Sequence, residues 1–176
     1  MNPPEPALLF DRVAAPAGAP FAEVHLVVDG DKLCAVDFGG YESRREQLLE
    51  RRYGRYSLVE RHNPHGYSER LRAYLAGELD AIVDLPVTLG GTPFQQSAWL
   101  ALRSIPAGQT ASYATQAARI GKPAAVRAIG AANGQNPVAI VLPCHRVIGS
   151  KGALTGFGGG IATKAWLLRH EGALLV

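Results

Sequence analysis

Between residues 21 and 40 the sequence FAEVHLVVDGDKLCAVDFGG sets two β-rich runs on either side of Asp29-Gly30. β-branched runs flanking an aspartate–glycine pair predict a β-hairpin closed by a tight turn. The next stretch, ESRREQLLERRYG (42–54), is crowded with charge and predicts an exposed helix; RYSLVER (55–61) predicts a further strand. Over 67–81, Leu71, Leu75 and Leu79 recur at i, i+4 and i+8, the spacing of an amphipathic helix that can pack on the sheet. VDLPVTLGG (83–91) reads as an extended connector whose glycines mark a domain boundary near residue 90. The opening residues, MNPPEPALLFDRVAAPAG, are rich in Pro and Ala and read as a loose lead-in.

The second half is patterned for helices. Thr92 as N-cap, Pro93 at the first helical position and Gln95 three residues after the cap make a strong helix start. Phe94, Ala98, Ala101 and Leu102 then line one face. Ser112 caps a helix that runs into Gly121-Lys122-Pro123, and a second helix begins near Ala124. Helix, short glycine-containing turn and helix together are the helix–turn–helix signature. IATKAWLLRHEG (161–172) is a last helix, stopped by Gly172. Between these elements, the apolar run Val138–Leu142 reads as a buried strand that ends in Pro143, Cys144 and His145.

Composition narrows the class. No run of eighteen apolar residues appears, so no membrane span is expected, and the N-terminus lacks the basic segment of a signal peptide. The two cysteines, Cys34 and Cys144, form no CxxC or Cys/His ligand pattern. A cytoplasmic protein with reduced thiols and no metal is therefore expected. Charge adds more. Residues 1–90 hold ten Lys/Arg and fourteen Asp/Glu, net −4, whereas residues 91–176 hold eight Lys/Arg and one acid, net +7. A basic half of this kind predicts a polyanion-binding domain.

The second helix of the pair is unusual for a reader of base edges. Ala125, Ala128 and Ala132 form a stripe of small residues with Gly130 nearby, Val126 and Ile129 point toward another face, and Arg127 is the only charge. A major-groove helix normally displays several long polar side chains. A smooth face with one arginine suits close approach to the minor groove, with one side chain pushed into the duplex. The same residues also fit a buried helix contact beside a solvated Arg127, and the helix alone does not separate the two.

Cys144 poses a second question. A free thiol is only about 3% ionised at neutral pH, so a nucleophile needs a base beside it. His145 is adjacent, but neighbours on an extended chain face opposite sides. Pairing then needs a bend or a bridging water, and Pro143 permits irregular geometry. Glu171 is the one acid of this half that could orient the imidazole. An inert packing cysteine fits the same pattern.

PCHRVIG (143–149), GALTGFGGG (152–160) and KAWLLRHEG (164–172) resemble the active-site region of the O6-alkylguanine-DNA alkyltransferase family. GTPFQQSAWLALRSIPAGQTASY (91–113) and AVRAIGAANGQNPVAIVLPCHRV (125–147) are similar to the same family, so the likeness covers residues 90 to 173 strongly and the rest loosely. The resemblance implies an α/β (α+β) protein. Its residues 1–90 would form a small sheet-and-helix support domain, ribonuclease H-like, and residues 91–176 a mostly helical domain with a DNA-binding helix–turn–helix. It implies that Cys144 accepts the alkyl group, that His145 activates it through a water, that Glu171 orients His145, and that Asn136 braces the bend. Arg127 would replace a flipped nucleotide in the base stack, and Tyr113 would crowd the adjacent phosphate. Ala125, Ala128 and Gly130 would face the minor groove. Ala139, Val147, Phe157, Gly158 and Gly159 would shape the pocket with Tyr113; many relatives carry tyrosine where Phe157 stands. The expected partner is double-stranded DNA bearing O6-alkylguanine, with O4-alkylthymine as a second substrate. No cofactor is expected, and the protein would be a monomer in solution, with cooperative binding on DNA left open. The zinc ligands of some relatives' N-terminal regions are missing from this sequence. Three other readings are a non-enzymatic helix–turn–helix protein with a structural cysteine, which one arginine equips poorly for base reading; a Cys-His hydrolase or acyltransferase, which leaves the basic half unexplained; and a combined repair protein and transcription regulator, against which the missing N-terminal cysteine cluster speaks.

Overall fold

A computed structural model describes residues 3–173. Strands β2 (Glu23–Asp29) and β3 (Lys32–Phe38) form the expected antiparallel hairpin, with Asp29 paired to Lys32 across the turn. The lead-in, by contrast, is a strand. β1 (Ala7–Ala14) pairs antiparallel with β2 and parallel with β4 (Ser57–Glu60), giving the sheet order β3-β2-β1-β4. Its side chains alternate: Leu8 and Phe10 join the apolar cluster on one face, while Leu9 and Val13 join the cluster on the other. That period-2 pattern is the strand signal, and the flanking Pro and Ala residues obscure it.

Both faces of the sheet are covered, so β2 and β3 are buried almost throughout and show no polar alternation. Helix α1 (Glu42–Tyr53) packs on one face, burying Leu49 and Arg45, so the helix expected to be exposed is half committed to the core. Helix α2 (Tyr67–Leu75) packs on the other through Leu71, Tyr74 and Leu75. It stops earlier than its leucine spacing suggests. Gly77 takes φ 112°, which breaks the helix, and Leu79 opens a separate turn, Leu79–Ile82.

The second half contains α3 (Pro93–Ala101), α4 (Tyr113–Arg119), α5 (Val126–Gly134) and α6 (Ile161–His170), with a short parallel pair β5 (Ala111–Ser112) and β6 (Val147–Ile148). The capping box at Thr92 is formed in full: Gln95 N–H donates to Thr92 Oγ1 at 3.1 Å, and Thr92 N–H donates to Gln95 Oε1 at 3.0 Å. Ser112 Oγ likewise accepts from Thr115 N–H at 3.0 Å. Residues 138–142 are buried but do not form the strand expected of them. Val138 makes one isolated bridge to Val36 at the edge of β3, after which the chain coils, with Ile140 at φ 71°. This segment covers the β3 edge, and one apolar cluster runs through both halves, from Val24, Phe38 and Tyr74 to Trp99, Leu142 and Leu167. Among the described residues no helix is long and apolar enough to cross a membrane.

Candidate active site

The coil before Cys144 is held by one side chain. Asn136 is buried; its Oδ1 accepts from Val138 N–H at 3.0 Å, and its Nδ2 donates to Leu142 O at 2.8 Å. A left-handed backbone at a β-branched residue costs about 1–3 kcal/mol. The two Asn136 hydrogen bonds span Ile140 and offset that cost at about 0.5–1.5 kcal/mol each. Leu142 O also accepts from Cys144 N–H at 2.8 Å, and the chain enters a single tight turn, Cys144–Arg146. The turn ends the extended geometry that would have set Cys144 and His145 on opposite sides. The hydrogen bonds of the described residues include none between Cys144 and the His145 ring.

His145 is fully buried and donates from Nε2 to Glu171 Oε1 at 2.9 Å. Helix α6 ends at the residue before Glu171, which is its C-cap, so the carboxylate sits at a fixed height above the turn. Arg146 forks onto the same carboxylate, Nε to Oε1 at 2.9 Å and Nη2 to Oε2 at 2.7 Å, and Tyr74 O–H donates to Oε2 at 2.7 Å. Burial alone would raise the Glu171 pKa; the bonds from Arg146 and His145 outweigh it and hold the carboxyl far below the ordinary carboxylate range. An ionised Glu171 only accepts, so Nε2 of His145 carries the proton and Nδ1 of the neutral ring keeps its lone pair. Nδ1 is buried and has no hydrogen-bond partner among the described residues. Burial pulls the His145 pKa below its usual value despite the carboxylate beside it, so the ring is neutral near pH 7 and able to take a proton.

Cys144 forms the floor of a cleft of about 520 Å³ walled by Tyr113, Arg127, Gly130, Asn133 and Phe157. Burial pushes the thiol pKa up, opposed by Asn136 and by the charges of Arg44 and Lys164, so the resting sulfur is protonated. Arg44, on α1, donates to Asp37 Oδ2 at 2.6 Å and to the carbonyls of Gly134 and Asn136 at 2.9 and 3.0 Å. It also lies under the cleft loop: a Cβ on Gly158 would meet Arg44 Nε at 2.7 Å, so a side chain there would have to displace the guanidinium. Lys164 is buried and donates to Val147 O and Thr155 O, tying α6 to the same loop. Tyr113 O–H and Thr155 Oγ1 lie 2.7 Å apart across the cleft.

α5 sits on α3 and α4 through buried polar locks. Gln116 and Asn133 exchange two side-chain hydrogen bonds at 2.8 and 2.9 Å, and Trp99 Nε1 donates to Ala132 O at 2.7 Å. Ala132 is therefore core, and the stripe of small residues is split, with Ala128 exposed and Ala125 at the N-cap. Ile129 is buried as expected, whereas Val126 is exposed on the cleft wall because its position turns it away from α3. Of the expected pocket residues, Tyr113, Phe157 and Gly158 line the cleft. Ala139 and Val147 do not: both are buried in the core beneath the turn. Gly159 is packed behind the cleft, where a Cβ would strike Phe38 at 2.5 Å. The sequence reading passed over Arg146, Arg44, Lys164 and Tyr74. Arg146 adjoins the Cys-His pair and could have been flagged as a buried-ion partner; Arg44 and Tyr74 come from the other half of the chain and carry no local signal.

A buried thiol at the floor of a cleft, beside a helix–turn–helix on the basic half of the chain, is the arrangement of a DNA-binding protein with a cysteine at its site. Residues 93–173 match the 6-O-methylguanine DNA methyltransferase family in its DNA-binding domain. The chain is 46% identical over 172 residues to a methylated-DNA–protein-cysteine methyltransferase of Shigella flexneri, covering 96% of this chain and 98% of that protein. It is 48% identical, with the same coverage, to the protein of that name from Salmonella typhimurium. The fold is similar to that of Mycobacterium tuberculosis OGT in complex with DNA, with a TM-score of 0.76, 38% identity and coverage of 93% and 92% of the two chains. The chain belongs to the methylated-DNA–protein-cysteine methyltransferase family.

Proposed function

We propose that Cys144 is the residue that takes the methyl group, attacking the carbon attached to O6 of a guanine flipped out of the duplex into the cleft. The family repairs DNA by moving a methyl group from the damaged base onto a cysteine of the protein itself. The observation that carries the assignment is the state of His145: Glu171 engages Nε2 and leaves Nδ1 free beside the turn that holds Cys144. A water between Sγ and Nδ1 relays the thiol proton to His145 as the S–C bond forms and the O6–C bond breaks. The departing guanine then takes up one proton, so the net change is thiol plus O6-methylguanine to thioether plus guanine. Neither thiol–disulfide exchange nor hydrolysis readily reverses a thioether, so each molecule acts once. The DNA is the alkyl donor, and the chemistry needs no cofactor.

Flipping is needed because a stacked base cannot reach a sulfur at the floor of a cleft. Arg127, exposed on the cleft wall, fills the gap left in the stack, and Tyr113 at the opposite rim presses on the neighbouring phosphate. Ala125, Ala128 and Gly130 let α5 approach the minor groove closely. Phe157 and Gly158 hold the base by stacking and close fit; Ala139 and Val147 act from beneath, by supporting the turn. O4-alkylthymine presents the same alkyl–oxygen bond and is the second substrate. The protein acts as a monomer.

The test is incubation with an oligonucleotide duplex containing O6-methylguanine, followed by peptide mass spectrometry. One methyl on Cys144 per lesion removed, absent in Cys144→Ser, is expected. Lesion loss with unmodified Cys144 would refute the assignment.

A further inference from the structure

We infer that Tyr74, a residue of the N-terminal half, is a positioning residue of the transfer reaction, setting through Glu171 how strongly His145 holds a proton. The inference rests on the assignment of His145 as the base.

The geometry behind it is a carboxylate with two differently used oxygens. Oε1 is shared between the His145 ring and Arg146 Nε, and Oε2 between Arg146 Nη2 and the Tyr74 hydroxyl. Every donor that reaches Glu171 draws electron density away from the bond to His145. Arg146 is needed for charge balance, since Glu171 is buried and Arg146 is the only Lys or Arg among the described residues that bonds to it. Tyr74 is not needed for that. It is a neutral donor brought from α2 across the interface between the halves, and it is fully buried. Nor is its position accidental, because its ring packs edge-on against His170, whose Nε2 in turn meets Tyr74 O at 2.8 Å. Burial and the adjacent carboxylate push the phenol pKa well above its ordinary value, so the hydroxyl remains a donor at every working pH.

The consequence has a sign. With Tyr74 in place Glu171 is a weakened acceptor, the imidazolium of His145 is less stabilised, and the ring stays neutral to lower pH. Removing the hydroxyl returns that density to the His145 bond and favours the protonated ring, which cannot act as base. The charged and titratable groups around His145 and this carboxylate are Glu171 and Lys164 from α6 and its cap, Arg146 from the turn, and Tyr74 from α2, with His170 of α6 packed on the Tyr74 ring. Of the donors to the carboxylate, only Tyr74 can be changed without altering the charge of the cluster or removing the base.

The experiment is the pH dependence of single-turnover methyl transfer from an O6-methylguanine duplex for the full chain and for Tyr74→Phe, which keeps the ring. The expected result is an acidic limb displaced upward by about 0.5 to 1 pH unit, with the plateau rate at high pH within about threefold of the unaltered protein. As a second variant, 3-fluorotyrosine replacing Tyr74 donates more strongly and should displace the limb downward. A uniform fall in rate with an unmoved limb means Tyr74 only supports the fold, and overturns the inference. So does a limb that moves the same way in both variants. Absence of methyl transfer in the unaltered protein would instead overturn the assignment of Cys144 and His145, which separates the two failures.

Discussion

Two neighbouring regions of this protein are built on opposite plans. The turn carrying Cys144 and His145 is buried, and its polar atoms are almost all committed: Asn136 spans the coil, and Glu171 receives donors from His145, Arg146 and Tyr74. The outer face of α5, earlier in the same half of the chain, is the reverse, with Arg127 and Ala128 exposed and Gly130 bare of side chain. In the proposed function the first region holds the reacting atoms, a task that over-determined hydrogen bonding suits. The second would meet the duplex, where any side chain bonded in advance to its own protein would have to be released first. Catalytic precision and recognition are thus kept apart in the proposed function, and the same substitution should have different effects in the two regions.

The largest effect is expected at Glu171. Glu171→Gln removes the charge that balances Arg146 and replaces an acceptor with an amide, and breaking a buried pair in this way costs about 3–5 kcal/mol. Urea denaturation should show that loss, and a variant within 1 kcal/mol of the parent would mean the cluster is not rigid. The same carboxylate gives a pH dependence. Its folded pKa is depressed, so its contribution to stability is complete above the unfolded glutamate value of 4.5 and is lost as pH falls below it toward the folded value. Acid unfolding of the parent should therefore begin below about pH 4.5, and the Glu171→Gln protein should lose less stability over that interval.

Asn136→Ala comes next. It leaves the Val138 N–H buried and unpaired, at about 1–3 kcal/mol, while the Leu142 carbonyl loses one of its two donors and keeps the Cys144 N–H. Ile140 is then free to leave its left-handed conformation, the turn shifts, and transfer should slow by about 100-fold. If the protein is destabilised but transfers at the parental rate, the coil is support for the core and not for the sulfur.

These two regions were also unequally legible in the sequence. The helix–turn–helix and the capping box at Thr92 could be read from spacing and turn residues, whereas the assignment of Cys144, His145 and Glu171 to DNA chemistry is an expectation that only the likeness to a family supplies. β1 could not, because Pro and Ala on both sides hid the alternation from Leu8 to Val13. The strand expected at 138–142 failed for a physical reason: an apolar run reports burial, and burial is satisfied as well by a coil braced by Asn136. Tyr74 and Arg44 were invisible because their contacts span about a hundred residues of chain, and no local pattern encodes which oxygen a distant hydroxyl will meet.

A smaller effect of opposite sign sharpens the comparison. Gly130 lies within α5, and a Cβ built on it meets nothing within 4 Å. Gly130→Ala should therefore stabilise the protein by about 0.5–1 kcal/mol, the ordinary gain for removing a mid-helix glycine. If α5 faces the minor groove at this position, the added methyl weakens duplex binding while leaving methyl transfer from a free modified base unchanged. A titration showing equal duplex affinity would remove Gly130 from the DNA-facing surface.

Arg127→Ala is the limiting case. The side chain is exposed, forms no hydrogen bond or ion pair with the described residues, and its loss should change stability by no more than about 0.5 kcal/mol. The role proposed for it appears only when a base leaves the stack. Without a side chain to fill the gap, the flipped state loses its occupant and the nucleotide falls back, so repair of a lesion in duplex DNA should slow markedly. Methyl transfer from the free base O6-methylguanine, which has no stack to leave, should be little changed. Salt provides an internal control: replacing a phosphate-neutralising residue reduces the slope of log affinity against log salt by about one, whereas removing a side chain that works inside the stack lowers repair with a smaller change in that slope. Equal losses with duplex and free base would place Arg127 with the residues that support the turn, and would erase the division between the two regions.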